Sequence, residues 1–292
     1  MPRTRASQSH RSRDLTTALL ATGAALFAAP AAGAQSPAGS VTKSAGIVSA
    51  TLSWKQGQGN EISDPRLRIT RGGVVVTDRS VADACNLCLL VEDHPVGNET
   101  FTILHVADLD ADGEPEVLFD VHSGGAHCCV TTRFFTYRPQ SNSYKRAPSL
   151  YWGNAHYRLE DLDGDGRLEM SGNDDRFSSA FAAPAASALP PKIMRYTRDP
   201  ATGTSSLTNV TRRFPSVIRA QAARLLRAIR RARPDPHLFQ AQGAVAAYVA
   251  DQYLLGQASV GKAELARARR RKLTVPGFQT RLLKFLKQTG YR

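Results

Sequence analysis

From Gly46 to about Thr211, apolar positions come in short runs rich in β-branched and aromatic residues, broken by clusters of Gly, Pro, Asn and Asp. That punctuation predicts strands. They are expected over Ile47–Trp54, Leu67–Thr70, Val74–Thr77, Thr102–Ala107, Val117–Val121, Val130–Tyr137, Tyr157–Glu160, Ile193–Thr197 and Leu207–Val210. The Ala- and Pro-rich stretch Ala180–Pro191 reads as a loop. Beyond Phe214 the period becomes helical. Ile218, Ala222, Leu225, Leu226 and Ile229 share one face after Pro215, and Arg219, Arg224, Arg227, Arg230 and Arg231 fill the others until Pro234. Further helices are predicted over Phe239–Leu255, stopped by Gly256, and over Lys262–Arg271 and Phe278–Gln288. The fold class expected is mainly β with an α-helical C-terminal part, a small helical bundle.

The first 34 residues fall outside this pattern. Arg3, Arg5, Arg11 and Arg13 precede an Ala-rich apolar run that ends in Ala32-Gly33-Ala34, the arrangement of a cleaved secretory signal peptide. Thr16, Thr17, Thr22, Gly23 and Pro30 interrupt the run, which makes it a poor membrane span. Export is expected to leave a secreted or extracytoplasmic product without a transmembrane segment. Residues 35–46, made of Ser, Gly, Pro and Ala with little to bury, read as a flexible linker. The plan is thus signal peptide 1–34, linker 35–46, β domain 47–211 and basic helical domain 212–292.

Charge sharpens the division. The formal total of +13 suggests a nucleic-acid partner. Yet residues 212–292 hold 18 Lys and Arg against only Asp235, Asp251 and Glu264, while residues 35–211 carry −5. No aromatic residue interleaves with the Arg run that follows Phe214, no nucleic-acid motif is present, and export removes the chain from its own chromosome, so nucleic acid is not the expected partner. Two accounts of the basic helices remain: solvated faces docked on the acidic β domain, or contact with anionic envelope polymers or phospholipid headgroups.

The β region also repeats. Asp108-Leu109-Asp110-Ala111-Asp112-Gly113-Glu114-Pro115-Glu116 recurs as Asp161-Leu162-Asp163-Gly164-Asp165-Gly166-Arg167-Leu168-Glu169. In such a loop, side-chain oxygens at positions 1, 3, 5 and 9 and the carbonyl at position 7 converge, and the Gly at position 6 permits the turn. An all-oxygen set of this size suits Ca²⁺. The expected ligands are Asp108, Asp110, Asp112, the Glu114 carbonyl and Glu116 in the first loop, and Asp161, Asp163, Asp165, the Arg167 carbonyl and Glu169 in the second. An EF-hand would need Glu at position 12, where Phe119 and Gly172 stand. The loops instead resemble the FG-GAP or VCBS-type repeat, the calcium-loop blade of integrin-like β-propellers. That resemblance implies two or three propeller-blade-like β units with two structural Ca²⁺ sites. It says nothing of the ligand.

Four cysteines, Cys85, Cys88, Cys128 and Cys129, complete the chemistry. In an exported chain they imply disulfides, with cross-bridges between the two clusters favoured because a Cys128–Cys129 ring would be strained. A zinc site with His127 and a reactive thiol at Cys129 are the sharper alternatives. Trp54 and Trp152 are core candidates that could instead stack on sugars. With no catalytic constellation evident, the expected function is a non-enzymatic, calcium-stabilised module for binding or adhesion to an extracellular glycan or protein. The alternative is an exported hydrolase of polysaccharide or peptide using Asp174 and Asp175.

Overall fold

Three consecutive antiparallel meanders organise the β region. The first runs β1 (Ala38–Ala45), β2 (Val48–Gln56), β3 (Ile62–Arg71) and β4 (Val74–Ser80), each strand paired with the next. A two-stranded ribbon, β5 (His94–Val96) and β6 (Glu99–Phe101), follows it. The second sheet has the order β10-β9-β8-β7, from β7 (Leu104–Ala107), β8 (Glu116–Gly125), β9 (Cys128–Arg138) and β10 (Ser143–Arg146), and β11 (Leu150–Gly153) also pairs with β9. The third comprises β12 (Tyr157–Glu160), β13 (Glu169–Asn173), β14 (Pro191–Arg198) and β15 (Ser205–Asn209). Four helices close the chain: α1 (Pro215–Arg231), α2 (Gln240–Leu254), α3 (Ala258–Arg270) and α4 (Phe278–Gln288). The computed structural model describes residues 38–56, 62–84, 94–96, 99–125, 128–199, 201–234 and 240–292, and these described residues form one compact unit.

Strand periodicity explains the layering. Along β8, Val117, Phe119 and Val121 enter a core shared with Val48, Leu52, Leu67 and Ile69 of the first sheet. Leu118, one residue out of phase, enters a second core with Phe134, Trp152, Met170 and Tyr196 of the second and third sheets. The second sheet is therefore covered on both faces, as the apolar run Val117-Leu118-Phe119 of β8 requires. Ile193 points away from Met194 and meets Val210 and Phe214, which lead into α1. The largest core lies among the helices and includes Val245, Val249, Leu265, Leu282 and Leu286. Phe177, after β13, joins it edge-on to Phe285 at a centroid distance of 4.9 Å. Helix α2 is buried around most of its circumference because it packs between α1 and α3.

These packings correct the expected fold class. The chain is α+β, with helix and strand in comparable measure, and among the described residues no sheet closes into a barrel or a propeller. Where a propeller would place another blade, the third sheet instead meets α1, through Ile193, Val210, Phe214 and Val217. Most of the expected linker is instead a strand: β1 pairs with β2 from Ala38↔Lys55 to Ala45↔Val48. Its Ser, Thr and Val residues carry little hydrophobic signal, but Val41 packs against the first core. Strands β10, β11 and β13 were also hidden from periodicity, being short and mostly polar or aromatic.

Candidate metal centres

Each acidic loop is the turn of a hairpin, and the two are built alike. In the first, Ala107↔Glu116 is the last ladder pair of β7 and β8; in the second, Glu160↔Glu169 closes β12 and β13. Position 9 thus starts the return strand and is buried, Glu116 at 1% exposure and Glu169 at 0%. In both, this Glu accepts the N–H of position 2, Leu109 at 3.2 Å and Leu162 at 3.1 Å. The Asp at position 1 accepts the N–H groups of positions 5 and 6, and position 5 accepts that of position 7. Gly113 and Gly166 turn the chain at φ +86° and +83°, a conformation that favours Gly. Leu168 donates to the Leu109 carbonyl at 3.1 Å, so the loops are also joined to each other.

This folding brings Asp108, Asp110 and Glu116 together, and separately Asp161, Asp163 and Glu169, each trio offering oxygens within 4.8 Å of one another. The predicted side-chain ligands at positions 1, 3 and 9 therefore converge. At position 5, Asp112 and Asp165 each use one oxygen to cap the turn. The Glu114 side chain turns outward, to Arg71 at 2.8 Å and the Tyr144 hydroxyl at 2.9 Å, which pins position 7 of the first loop against the first sheet. Arg71, Tyr144, Arg195 and Arg198 are site residues that loop spacing did not reveal.

The trios differ in charge. Burial, with the neighbouring Asp112 and Asp108, raises the Asp110 carboxyl above its ordinary range, and burial with the charge of Asp110 pushes Glu116 up to about 8. Asp110 Oδ1 is buried without a hydrogen-bond partner, while Oδ2 accepts the Arg198 N–H at 2.9 Å. A buried, unpartnered carboxylate oxygen facing two further carboxylates fits a hard divalent cation. In the second loop the Arg195 guanidinium meets Asp163 at 3.1 Å, Asp165 at 3.1 Å and Glu169. Burial opposes the Arg195 charge, but hydrogen bonds and attraction to Glu169, Asp163 and Asp165 outweigh it and raise its pKa. The first trio fits Ca²⁺; the second already holds the Arg195 guanidinium, which offsets part of its negative charge.

Other expectations resolve differently. Cys129 is disulfide-bonded, which overturns a reactive thiol or zinc ligand there, and its sulfur accepts the Tyr151 hydroxyl at 2.9 Å. Cys85, Cys88, His127 and the side chain of Cys128 lie outside the described residues. Trp54 and Trp152 are core residues, exposed by 7% and 0%, so neither offers a sugar platform. Asp174, 3% exposed, accepts hydrogen bonds from Arg176 and the Tyr291 hydroxyl and fastens the segment after β13 to the chain's end. Burial works against its charge, but Arg176 and Tyr291 hold its pKa below the ordinary value. Asp175 Oδ1 is buried and unpartnered.

Among the described residues no helix is long and apolar enough to cross a membrane. No family profile matches the chain, and no solved structure matches it. It is similar to an uncharacterized protein of Sinorhizobium fredii, 28% identical over 176 residues, which is 58% of this chain and 26% of that protein. It is also similar to a probable thylakoid lumen protein of Synechocystis, 34% identical over 92 residues, 31% of this chain and 27% of that protein. The chain therefore spans about a quarter of the length of the curated relatives it matches.

Proposed function

We propose that this chain is an exported, non-enzymatic binding module for an extracellular glycan or protein, with a structural Ca²⁺ in its first acidic loop. The observation that carries the calcium reading is the Asp108, Asp110 and Glu116 trio with its buried, unpartnered Asp110 oxygen. The FG-GAP-like spacing of the loop supports it. Export is supported by the Arg- and Ala-rich leader and by the lumenal name of the Synechocystis relative. At about 1 mM Ca²⁺ and a Kd of about 0.1 mM, one site stabilises the fold by roughly 1.4 kcal/mol. For a chain of this size that is about 3–6 °C in Tm. EDTA should lower the melting temperature of the mature protein by that amount and Ca²⁺ should restore it; an unchanged melt sinks the calcium reading.

A second reading concerns the binding face. Arg219, Arg224, Arg227, Arg230 and Arg231 are exposed, and no acidic partner contacts them among the described residues. Arg66, Arg71 and Arg146 of the β region, by contrast, are paired with Asp78, Glu114 and Asp83. The basic helices thus leave their charge available for an anionic envelope polymer rather than spending it on the acidic sheets. Retention on immobilised heparin at low salt, lost at high salt and weakened by Arg224→Glu with Arg231→Glu, is the expected result. Equal retention of this double variant would remove the reading.

A further inference from the structure

The two loops share their hydrogen bonds but differ in the residue opposite position 9. In the third sheet Glu169 pairs with Arg195. In the second sheet, the register that pairs Val117 with Phe135 continues to place Thr136 opposite Glu116, and the Thr136 hydroxyl donates to Glu116 at 3.4 Å. Arg195 and Thr136 therefore occupy equivalent places in the two units. Arg195 Nε donates to Glu169 Oε1 at 2.6 Å, and its terminal nitrogens reach Asp163 and Asp165. Its side chain is 5% exposed, so the charge lies inside the loop. In the first loop Arg71 is held by the outward-turned Glu114, and the other guanidinium at the loop is that of Arg198. It reaches only Asp112, at 3.4 Å, and leaves the Asp108, Asp110 and Glu116 trio to other compensation.

We infer that Arg195 is a built-in counter-cation that takes the place of the metal in the second loop, so that the protein binds Ca²⁺ at the first loop alone. The inference rests on the calcium reading for the first loop. Its electrostatic logic is that three carboxylates gathered around one point require a positive charge, which a covalently held guanidinium supplies at any Ca²⁺ concentration. A divalent ion entering the second loop would have to displace Arg195 and leave that guanidinium buried without its partners. One unit is therefore metal-dependent and the other permanently locked.

Isothermal titration of the chelator-treated mature protein with CaCl₂ tests this, together with melting in EDTA. Wild type should take up about one Ca²⁺ per chain, lost in Asp110→Asn, and Arg195→Thr should take up about two. In EDTA, Arg195→Thr should melt below wild type, and Ca²⁺ should close most of the gap. Two sites in wild type, with Asp110→Asn removing one, would overturn the inference and leave the calcium reading intact. No binding by either protein would overturn the calcium reading. An Arg195→Thr melt equal to wild type in EDTA would overturn the counter-cation whatever the calcium result. Should Arg195→Thr fail to fold, wild-type stoichiometry decides: about one site supports the inference and two overturn it.

Discussion

Asp251 lies on α2 in the middle of the helical core, with 0% exposure and neither carboxylate oxygen hydrogen-bonded. Burial raises its pKa from 3.8 to about 8, with Arg224 pulling in the opposite direction. The sign follows from linkage. Between about pH 4 and pH 8 the unfolded chain has released this proton while the folded chain keeps it. The unfolded state then binds fewer protons, and stability falls as pH rises, by about 1.4 kcal/mol per unit. From pH 5 to pH 7 the loss is about 3 kcal/mol, and it levels off above the folded pKa. Asp251→Asn removes the titration while keeping the shape. Urea unfolding followed by helical circular dichroism in saturating Ca²⁺, at pH 5, 6, 7 and 8, compares the two proteins. Other raised groups such as Asp120, pushed up to about 7 by burial, act in both and cancel in the difference. The variant should gain on wild type by about 3 kcal/mol between pH 5 and pH 7. A difference constant with pH would refute the reasoning.

Two further substitutions probe the supports of the site. Tyr144→Phe removes hydroxyl bonds to Glu114 and to the Pro115 carbonyl, both 2.9 Å, from a residue 1% exposed. It should cost about 1–2 kcal/mol in urea unfolding and weaken Ca²⁺ binding, and an unchanged midpoint would count against the pinning of position 7. Gly153→Ala combines a φ of +67° with a Cβ 1.9 Å from Asp175 Oδ2, whereas Gly277→Ala, at φ +76°, meets nothing within 4 Å. The second should cost about 1 kcal/mol and the first clearly more, read from paired thermal melts; equal losses would refute the clash.

The acidic loops were legible because each position has its own chemical requirement, and the structure gathers positions 1, 3 and 9 in both copies. Strand β8 was legible because burial on both faces leaves the apolar run Val117-Leu118-Phe119, and β9 because its residues are β-branched and aromatic. Strand β1 was not, since Ser, Thr and Gly pair in a sheet without announcing it. Closure into a propeller could not be read from the loops, because it depends on what covers the third sheet, and Ile193, Val210 and Phe214 lead there to helices. Arg195 escaped because its partners lie across a strand register rather than within the loop. Its one local signal is a lone Arg between Ile193, Met194 and Tyr196, all of them buried.

The central claim is that the first loop holds calcium through Asp108, Asp110 and Glu116. Equilibrium dialysis of the mature protein against about 1 mM Ca²⁺, with bound calcium read as the excess over free ion, tests it most directly, with Glu116→Gln alongside. Retained calcium in wild type and its loss in Glu116→Gln is the predicted result. A wild-type protein that retains no more calcium than the variant would contradict the account.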